Sequence, residues 1–266
     1  MIESRTPDGA DPVGTRPPDF VEALARGLAV MSSFGRERDG ITLTEVAKRT
    51  GLSRGTARRL LHTLRTLDYV GSDGKLFWLT PKVFGFSAAY LARLGLGESG
   101  KAVLREVTER LKESSSIAVL DGAEVVYVAR LEMGRLYSSR IDVGTRLPAH
   151  CSSLGQVLLA HLAPDDLDAW LRNHPLTAAT ARTVTDSAAF RDKLDVVRRQ
   201  GFTVVDGELE IGIRSIAVPI RTPGGRFLAA LNASTSSARV PLATLRRSFL
   251  PVLQEAAGRI GQTMDW

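Results

Sequence analysis

The stretch LTEVAKRTGLSRGTARRLLHTL, residues 43–64, decides how the first part of this chain folds. Thr42 precedes it, and Glu45 follows three positions later, which is the capping-box pattern of a helix start. Gly51 stands where a helix ends with a residue of positive φ, and Ser53 is placed to cap a second helix. The stretch therefore predicts two short helices joined by a tight turn.

Two helices joined in this way form a helix-turn-helix when a small residue lets the second helix cross the first. Ala47 is that small residue, four positions before Gly51. Apolar side chains that lock the two helices together are available at Val46, Leu52, Ala57 and Leu60. We therefore interpret 43–50 as the first helix and 54 to about 67 as the recognition helix.

The outer face of the second helix is basic. In a helix-turn-helix this face enters the major groove of double-stranded DNA, and its N-terminal residues meet base edges. We predict base-edge contacts from Arg54, Thr56, Arg58 and Arg59. Phosphate contacts position a protein on DNA without specifying sequence, and we predict them from Thr42, Thr44, Ser53 and Lys75.

A predicted hairpin follows the two helices. Short apolar runs at 69–70 and 76–79 flank Asp73–Gly74, which is a strong tight-turn signal. Lys75 would lie at the tip, where a winged helix-turn-helix carries its wing. The simpler alternative is an ordinary helical hairpin with a basic surface.

The charge distribution agrees with a polyanion partner. The 266-residue chain has a net charge of +6, and residues 20–97 alone contain 12 basic and 6 acidic residues. A local basic excess is the expected footprint of nucleic acid, although a solvated basic face would have the same composition.

Composition also excludes several classes of protein. No apolar run is long enough to span a membrane, and the first nineteen residues have no apolar core of a secretory signal. Their proline, glycine and aspartate content predicts a disordered tail at 1–19. The single cysteine, Cys151, fits a reducing cytoplasm. Four scattered histidines give no metal-site spacing, and we expect neither a metal nor a cofactor.

The chain length accommodates two domains. We assign 20–80 to the winged helix-turn-helix and 81–97 to a linker helix and joint, because Pro81 suits a helix start and GLGESG suits a connection. Residues 98–266 interleave helices with strand hairpins, including one around the Pro-Gly-Gly turn at 223–225. This second part is predicted to be an α+β domain.

Three segments make the chain resemble the isocitrate-lyase-regulator (IclR) family of bacterial transcription factors. They are GLSRGTARRLLHTLRTLDYV, GTRLPAHCSSLGQVLLAHL and GFTVVDGELEIGIRSIAVPI. The resemblance covers residues 20–263, and RLPAHCSSLGQVLLA is most similar to the branch that controls protocatechuate, 4-hydroxybenzoate and β-ketoadipate-pathway genes.

The resemblance implies a GAF-like second domain, with an antiparallel sheet flanked by helices and a pocket for a small carboxylate effector. It also implies a homodimer or a dimer of dimers on a palindromic operator. The family's effector-contacting positions correspond here to Leu136, Ser139, Leu147, Ser153, Leu154, Val205, Ile213, Ser215, Asn232 and Ser234.

The residues themselves support a carboxylate site. Ser153 with Gln156 has capping-box spacing, so a helix would start at Ser153–Leu154 and offer free N–H groups to an anion. Asn232 and Ser234 are two apart and share a sheet face. Val205, where the family can have an acidic residue, and Asn232, where it can have serine, favour an aromatic ring over a two-carbon acid.

Three further residues, Arg130, Arg140 and His150, are weaker candidates. A buried arginine can bind a carboxylate through two hydrogen bonds. Strict alternation along a strand, however, more often turns such side chains to solvent.

Two other functions remain open at this point. An enzyme is disfavoured because adjacent His150 and Cys151 cannot form a thiolate–imidazolium pair, and because the acidic motif 206–212 is better explained as a solvated loop than as a metal site. A DNA-binding protein whose second domain only oligomerises differs in not responding to small acids. We expect a cytoplasmic transcription regulator that responds to an aromatic acid or a β-ketoadipate-pathway metabolite.

Overall fold

The computed structural model describes residues 17–35, 39–133 and 141–263, without the side chain of Leu228. Contacts along the chain divide it into two units between Tyr90 and Leu91. The division lies within the predicted linker segment 81–97. No helix among the described residues is long and apolar enough to cross a bilayer.

The first unit is a small helical domain with a three-stranded antiparallel sheet of order β1-β3-β2. Its elements are α1 (Glu22–Ser32), β1 (Ile41–Thr42), α2 (Leu43–Thr50), α3 (Arg54–Thr66), β2 (Val70–Ser72) and β3 (Leu76–Leu79), followed by a 3-10 turn (Pro81–Val83) and α4 (Phe84–Arg93), which crosses the division. β2 begins one residue later than the apolar run at 69–70 predicts.

Local signals determine the ends of α2 and α3. The Thr42 hydroxyl accepts a hydrogen bond from the Glu45 amide, and the Glu45 carboxylate accepts one from the Thr42 amide, so both halves of the capping box are present. Gly51 adopts a left-handed conformation with φ of 66°. Ser53 caps α3 by accepting from the Thr56 amide.

The helices of this unit enclose one compact apolar core. α1, α2, α3 and the sheet all contribute to it through side chains that are almost fully buried. Its members are Val30, Ile41, Val46, Ala47, Ala57, Leu61 and Val70. Since Ala47 and Ala57 come from the two helices of the motif, their small size permits the close crossing that the sequence predicts.

The second unit is built on a six-stranded antiparallel sheet of order β6-β5-β4-β9-β8-β7. Its helices are α5 (Glu98–Leu111), α6 (Ser153–Ala160), α7 (Pro164–Asn173), α8 (Ser187–Gln200), α9 (Leu242–Thr244) and α10 (Leu250–Thr263). Its strands are β4 (Ser114–Asp121), β5 (Glu124–Leu131), β6 (Arg146–Pro148), β7 (Thr203–Asp206), β8 (Ile213–Arg221) and β9 (Phe227–Ser236).

The two faces of this sheet are covered by different helices. Ile117, Leu231 and their neighbours pack with α5 and α10 in one core. Ala118, Ala230 and their neighbours pack with α6, α7 and α8 in a second core. A π-helical turn, Leu245–Phe249, lies between α9 and α10.

A β-bulge interrupts β5. Ile117 pairs with Ala129, whereas the next residue, Ala118, pairs with Tyr127, so that Val128 is an extra residue in the ladder. Residues before and after such a bulge no longer follow simple alternation. Tyr127 and Arg130, three positions apart, therefore point to the same face of the sheet.

Candidate functional site

The first unit has a concave basic surface between α3 and the hairpin. Its lining includes four cationic side chains, Arg54, Arg58, Arg65 and Lys75. Thr42 and Thr44 at the start of α2, together with Ser72 and Gly74 of the hairpin, complete much of the wall. Basic side chains on a recognition helix beside a wing suit a DNA duplex.

The structure brings five of the eight predicted DNA contacts to this surface: Thr42, Thr44, Arg54, Arg58 and Lys75. The other three lie outside the groove lining: Ser53 and Thr56 at the start of α3, and Arg59 in its second turn. Arg59 is exposed there. The sequence-based prediction did not include Arg65 or His62, which also line the groove and lie on α3 one turn or more beyond Arg58.

The wing tip is fixed by Asp73. Its carboxylate accepts hydrogen bonds from the amides of Leu76 at 2.7 Å and Lys75 at 2.9 Å. These two backbone hydrogen bonds lower the pKa of Asp73 below its ordinary value. The ionised carboxylate thus stabilises the turn, and Lys75 lies in the groove lining beside it.

The second unit contains a cavity of about 200 Å³ on the face of the sheet that carries Tyr127 and Asn232. Its apolar lining comes from Tyr127, Met133, Ile141, Val205, Leu209 and Ile213. Its polar lining includes Arg130, Ser153, Ser215, Asn232, Ser234 and the ion pair of Glu113 with Arg239. For comparison, a dry apolar cavity of about 150 Å³ holds benzene.

Six of the ten predicted effector positions lie in this lining: Ser153, Val205, Ile213, Ser215, Asn232 and Ser234. Leu147 and Leu154 do not, because both pack into the apolar core beside α6, where Leu154 is completely buried. The remaining two, Leu136 and Ser139, lie outside the described residues, as does Arg140.

The start of α6 differs from the sequence-based prediction by one residue. Ser152, in an extended conformation, is the cap, and its hydroxyl accepts from the Gly155 amide at 3.2 Å. Gln156 takes no part in a capping box, because its buried amide donates to the His150 carbonyl and the Glu208 carboxylate. Ser153 is consequently the first helical residue.

Arg130 is the most important residue of the cavity that alternation assigned incorrectly. Its side chain is only 7% exposed, and its Nη1 donates to Ser116 Oγ at 3.1 Å. The bulge at Val128 turns Arg130 inward together with Tyr127, whereas uninterrupted alternation would have separated them. A bulge leaves no simple sequence signal, so Arg130 was only one of three weaker candidates for a ligand contact.

The surroundings of His150 and Cys151 indicate packing roles rather than catalytic ones. His150 is buried, and its Nε2 lies 2.8 Å from the Thr177 carbonyl oxygen, away from the cavity lining. Cys151 does line the cavity, but burial raises its pKa to about 11, so the thiol stays protonated and weakly nucleophilic. Burial likewise raises the pKa of Tyr127 to about 12 and keeps its hydroxyl protonated.

Two carboxylates of the acidic motif 206–212 form ion pairs. Asp206 binds Arg214 at 2.9 Å, and the buried Glu208 binds Lys193 Nζ at 2.6 Å. Glu208 is therefore part of a buried structural network, rather than of the solvated loop that the sequence suggested. Over the described residues, no group of histidine, cysteine, aspartate or glutamate side chains is arranged to hold a metal.

A winged helix-turn-helix and a separate domain with a ligand-sized cavity define a DNA-binding transcriptional regulator. Comparison with known proteins agrees. The sequence model of the IclR helix-turn-helix domain matches residues 23–74, and that of the bacterial transcriptional regulator IclR C-terminal domain matches residues 88–262.

Relatives and solved structures match nearly the whole chain. The Pca regulon regulatory protein of Pseudomonas putida is 42% identical over 91% of this chain and 84% of its own length. The p-hydroxybenzoate hydroxylase transcriptional activator of Acinetobacter baylyi is 37% identical over 92% of both chains. An IclR homologue of Microbacterium hydrocarbonoxydans, crystallised with 4-hydroxybenzoate, superposes with a TM-score of 0.79 at 30% identity, covering 91% of this chain and 98% of that one.

This chain belongs to the IclR family of bacterial transcriptional regulators. The α+β prediction, the winged helix-turn-helix and the family resemblance are thereby confirmed. Family membership also makes the chain a regulator rather than an enzyme.

Proposed function

We propose that this chain regulates transcription in response to a single-ring aromatic carboxylate that binds in the cavity of the second unit. The observation that carries the proposal is the cavity itself. At about 200 Å³ it holds one substituted ring, and its wall combines apolar side chains with a few buried polar groups, as small-molecule sites do.

The relatives support an aromatic ligand. One controls the Pca regulon, another activates a p-hydroxybenzoate hydroxylase gene, and a third was crystallised with 4-hydroxybenzoate. Val205 in the cavity wall agrees, because an aliphatic side chain at that position offers van der Waals contact to a ring and no charge. A β-ketoadipate-pathway acid is the second candidate effector.

On the DNA side, we propose that α3 reads base edges through Arg54 and Arg58, and that Lys75 and the start of α2 bind phosphates. The four cations of the groove supply the electrostatic attraction on which affinity for the duplex mainly depends. By this proposal 20–80 is the DNA-binding domain, 81–97 is the linker, and 98–266 binds the effector and oligomerises in the cytoplasm.

Oligomerisation has its own support in the first unit. Leu24 and Leu28 on α1 and Val21 just before it are each about 60% exposed, and Phe84 and Phe86 on α4 are 71% and 63% exposed. Leu24 and Leu28 lie one helical turn apart, and contiguous exposed apolar side chains mark interaction surfaces. A homodimer through these faces would place two recognition helices on a palindromic operator.

The test joins ligand binding to DNA binding. Operator fragments would be selected from random duplex DNA by the full-length protein, and affinity would be measured by fluorescence anisotropy with and without 4-hydroxybenzoate, 3,4-dihydroxybenzoate or β-ketoadipate. A ligand at 100 times its Kd should stabilise the protein by about 2.7 kcal/mol, equivalent to roughly 5–10 °C in Tm.

The expected result is that an aromatic acid raises Tm and changes operator affinity. A change in Tm and affinity with β-ketoadipate alone would replace the aromatic effector but retain the sensor. No change with any acid would favour the alternative that the second unit only oligomerises.

A further inference from the structure

Three side chains form a row across the middle of the sheet, on the face that carries the cavity. Arg130 on β5 lies directly opposite Ser116 on β4, and Ser116 lies directly opposite Asn232 on β9. Residues directly opposite each other in an antiparallel sheet project from the same face. Arg130 and Asn232 both line the cavity, so the row spans it with two strand spacings, about 9.5 Å, between its ends.

At one end of the row, a buried donor has no acceptor among the described residues. Arg130 Nη1 donates to Ser116 Oγ at 3.1 Å, and Nη2 lies 3.9 Å from the Glu132 carboxylate, whose side chain is about half exposed. Arg130 Nε, however, is buried and hydrogen-bonds to no described residue. A buried guanidinium with a free donor favours an anionic acceptor, and carboxylates fit its planar fork.

At the other end, a buried acceptor has no donor in the part of the chain that the structure describes. The Asn232 amide nitrogen donates to Ser153 Oγ at 3.4 Å and to Ser234 Oγ at 3.3 Å, which directs the amide oxygen away from both hydroxyls. Asn232 is 3% exposed, and its Oδ1 accepts from no described residue. A ligand that satisfies Oδ1 must carry a donor, and a phenolic hydroxyl is one.

We infer that the cavity is specific for hydroxylated aromatic acids, with Arg130 binding the carboxylate and Asn232 Oδ1 accepting a hydrogen bond from the ring hydroxyl. This inference rests on the proposed function and makes it more specific. Benzoate, which lacks the hydroxyl, leaves Oδ1 buried and unpaired. A site built to hydrogen-bond a hydroxyl rejects the analogue without it for that reason.

The first test needs only the wild-type full-length protein. Isothermal titration calorimetry would compare benzoate with 3-hydroxybenzoate, 4-hydroxybenzoate and 3,4-dihydroxybenzoate, and 4-hydroxybenzoate with 4-hydroxybenzamide. At least one hydroxybenzoate should bind about 10- to 100-fold more tightly than benzoate. The neutral amide should bind about 10- to 100-fold more weakly than the acid, since it loses the charge-assisted hydrogen bonds.

The second test assigns these preferences to the two residues. Asn232→Leu should reduce the preference for the hydroxyl to near one, because it weakens hydroxybenzoate binding and removes the unpaired oxygen that disfavours benzoate. Arg130→Gln should weaken 4-hydroxybenzoate and benzoate alike while sparing the amide, and Arg130→Lys should be intermediate because it retains the charge. Arg146→Gln, the same change at an exposed arginine outside the cavity lining, is the matched control and should alter nothing.

The results distinguish a failure of the proposed aromatic effector from a failure of the roles assigned to Arg130 and Asn232. If no aromatic acid binds the wild type, the proposed aromatic effector falls, and this inference falls with it. If hydroxybenzoates bind but no more tightly than benzoate, or if Asn232→Leu weakens both equally, the effector proposal stands and the assignment of Arg130 and Asn232 is overturned.

Discussion

Replacing Gly155 with alanine should destabilise the second unit although alanine is the better helix former. Gly155 is the third residue of α6, and a Cβ there would lie 2.2 Å from the Ala149 carbonyl oxygen and 2.4 Å from Ala149 Cα. Both atoms belong to the backbone, so the helix or the preceding turn must move. Overpacking of this kind costs about 1–3 kcal/mol or more, and about 2–4 °C in Tm accompanies each kcal/mol in a domain of this size.

Gly258→Ala is the matched control, since it makes the same change in a helix. A Cβ at Gly258 in α10 meets no atom within 4 Å. Relief of the glycine penalty should therefore stabilise the protein by about 0.5–1 kcal/mol. Thermal unfolding followed by circular dichroism compares both variants with the wild type. Gly155→Ala should also bind effector more weakly, because Ser153 moves with α6. A Gly155→Ala variant that melts at or above the wild-type temperature would refute this packing argument.

Three further predictions concern single residues. Arg58→Ala should weaken operator binding about 5- to 150-fold and relax sequence preference at one base pair, as measured by anisotropy, whereas Arg259→Ala in the second unit should change neither. Cys151 should react with iodoacetamide at pH 8 about 200-fold more slowly than free cysteine, because a pKa of about 11 instead of the usual value near 8.5 leaves far less thiolate; equal rates in the folded protein would contradict its burial. The hydrogen bond from Arg214 holds the pKa of Asp206 below 3.8, so its stabilising effect is present above that pH and lost as pH falls through the folded pKa. Asp206→Asn should thus cost about 1 kcal/mol or less at pH 7, and its Tm deficit should shrink below pH 4; a deficit that is constant with pH would exclude the ion pair as its cause.

Sequence reasoning worked best where structure is determined by neighbouring residues. The limits of α2 follow from Thr42, Glu45 and Gly51, which lie within ten positions of one another and satisfy the helix ends directly. The first residue of α3 follows in the same way from Ser53. Such signals need no knowledge of the rest of the molecule.

Other features depend on contacts far apart in the sequence, and here prediction was weaker. The short strand β6 was not anticipated, because its three residues become a strand only through pairing with β5. Leu154 was carried over as an effector contact, although it is fully buried in the core that supports α6. The inward orientation of Arg130 depends on a β-bulge that no local sequence pattern predicts.

The order of strands in the large sheet has a consequence for biosynthesis. Its central pair joins β4 to β9, and Ser116 and Asn232 are neighbours there although more than a hundred residues separate them along the chain. Long-range pairings of this kind form slowly, because the entropy of closing a long loop is lost before any stabilising contact forms. The first unit completes its core as soon as residues up to 80 have left the ribosome, whereas the β4–β5 hairpin must wait with one edge unpaired until β9 has been made. The nascent chain therefore acquires a folded DNA-binding unit well before it acquires a sheet that can hold an effector.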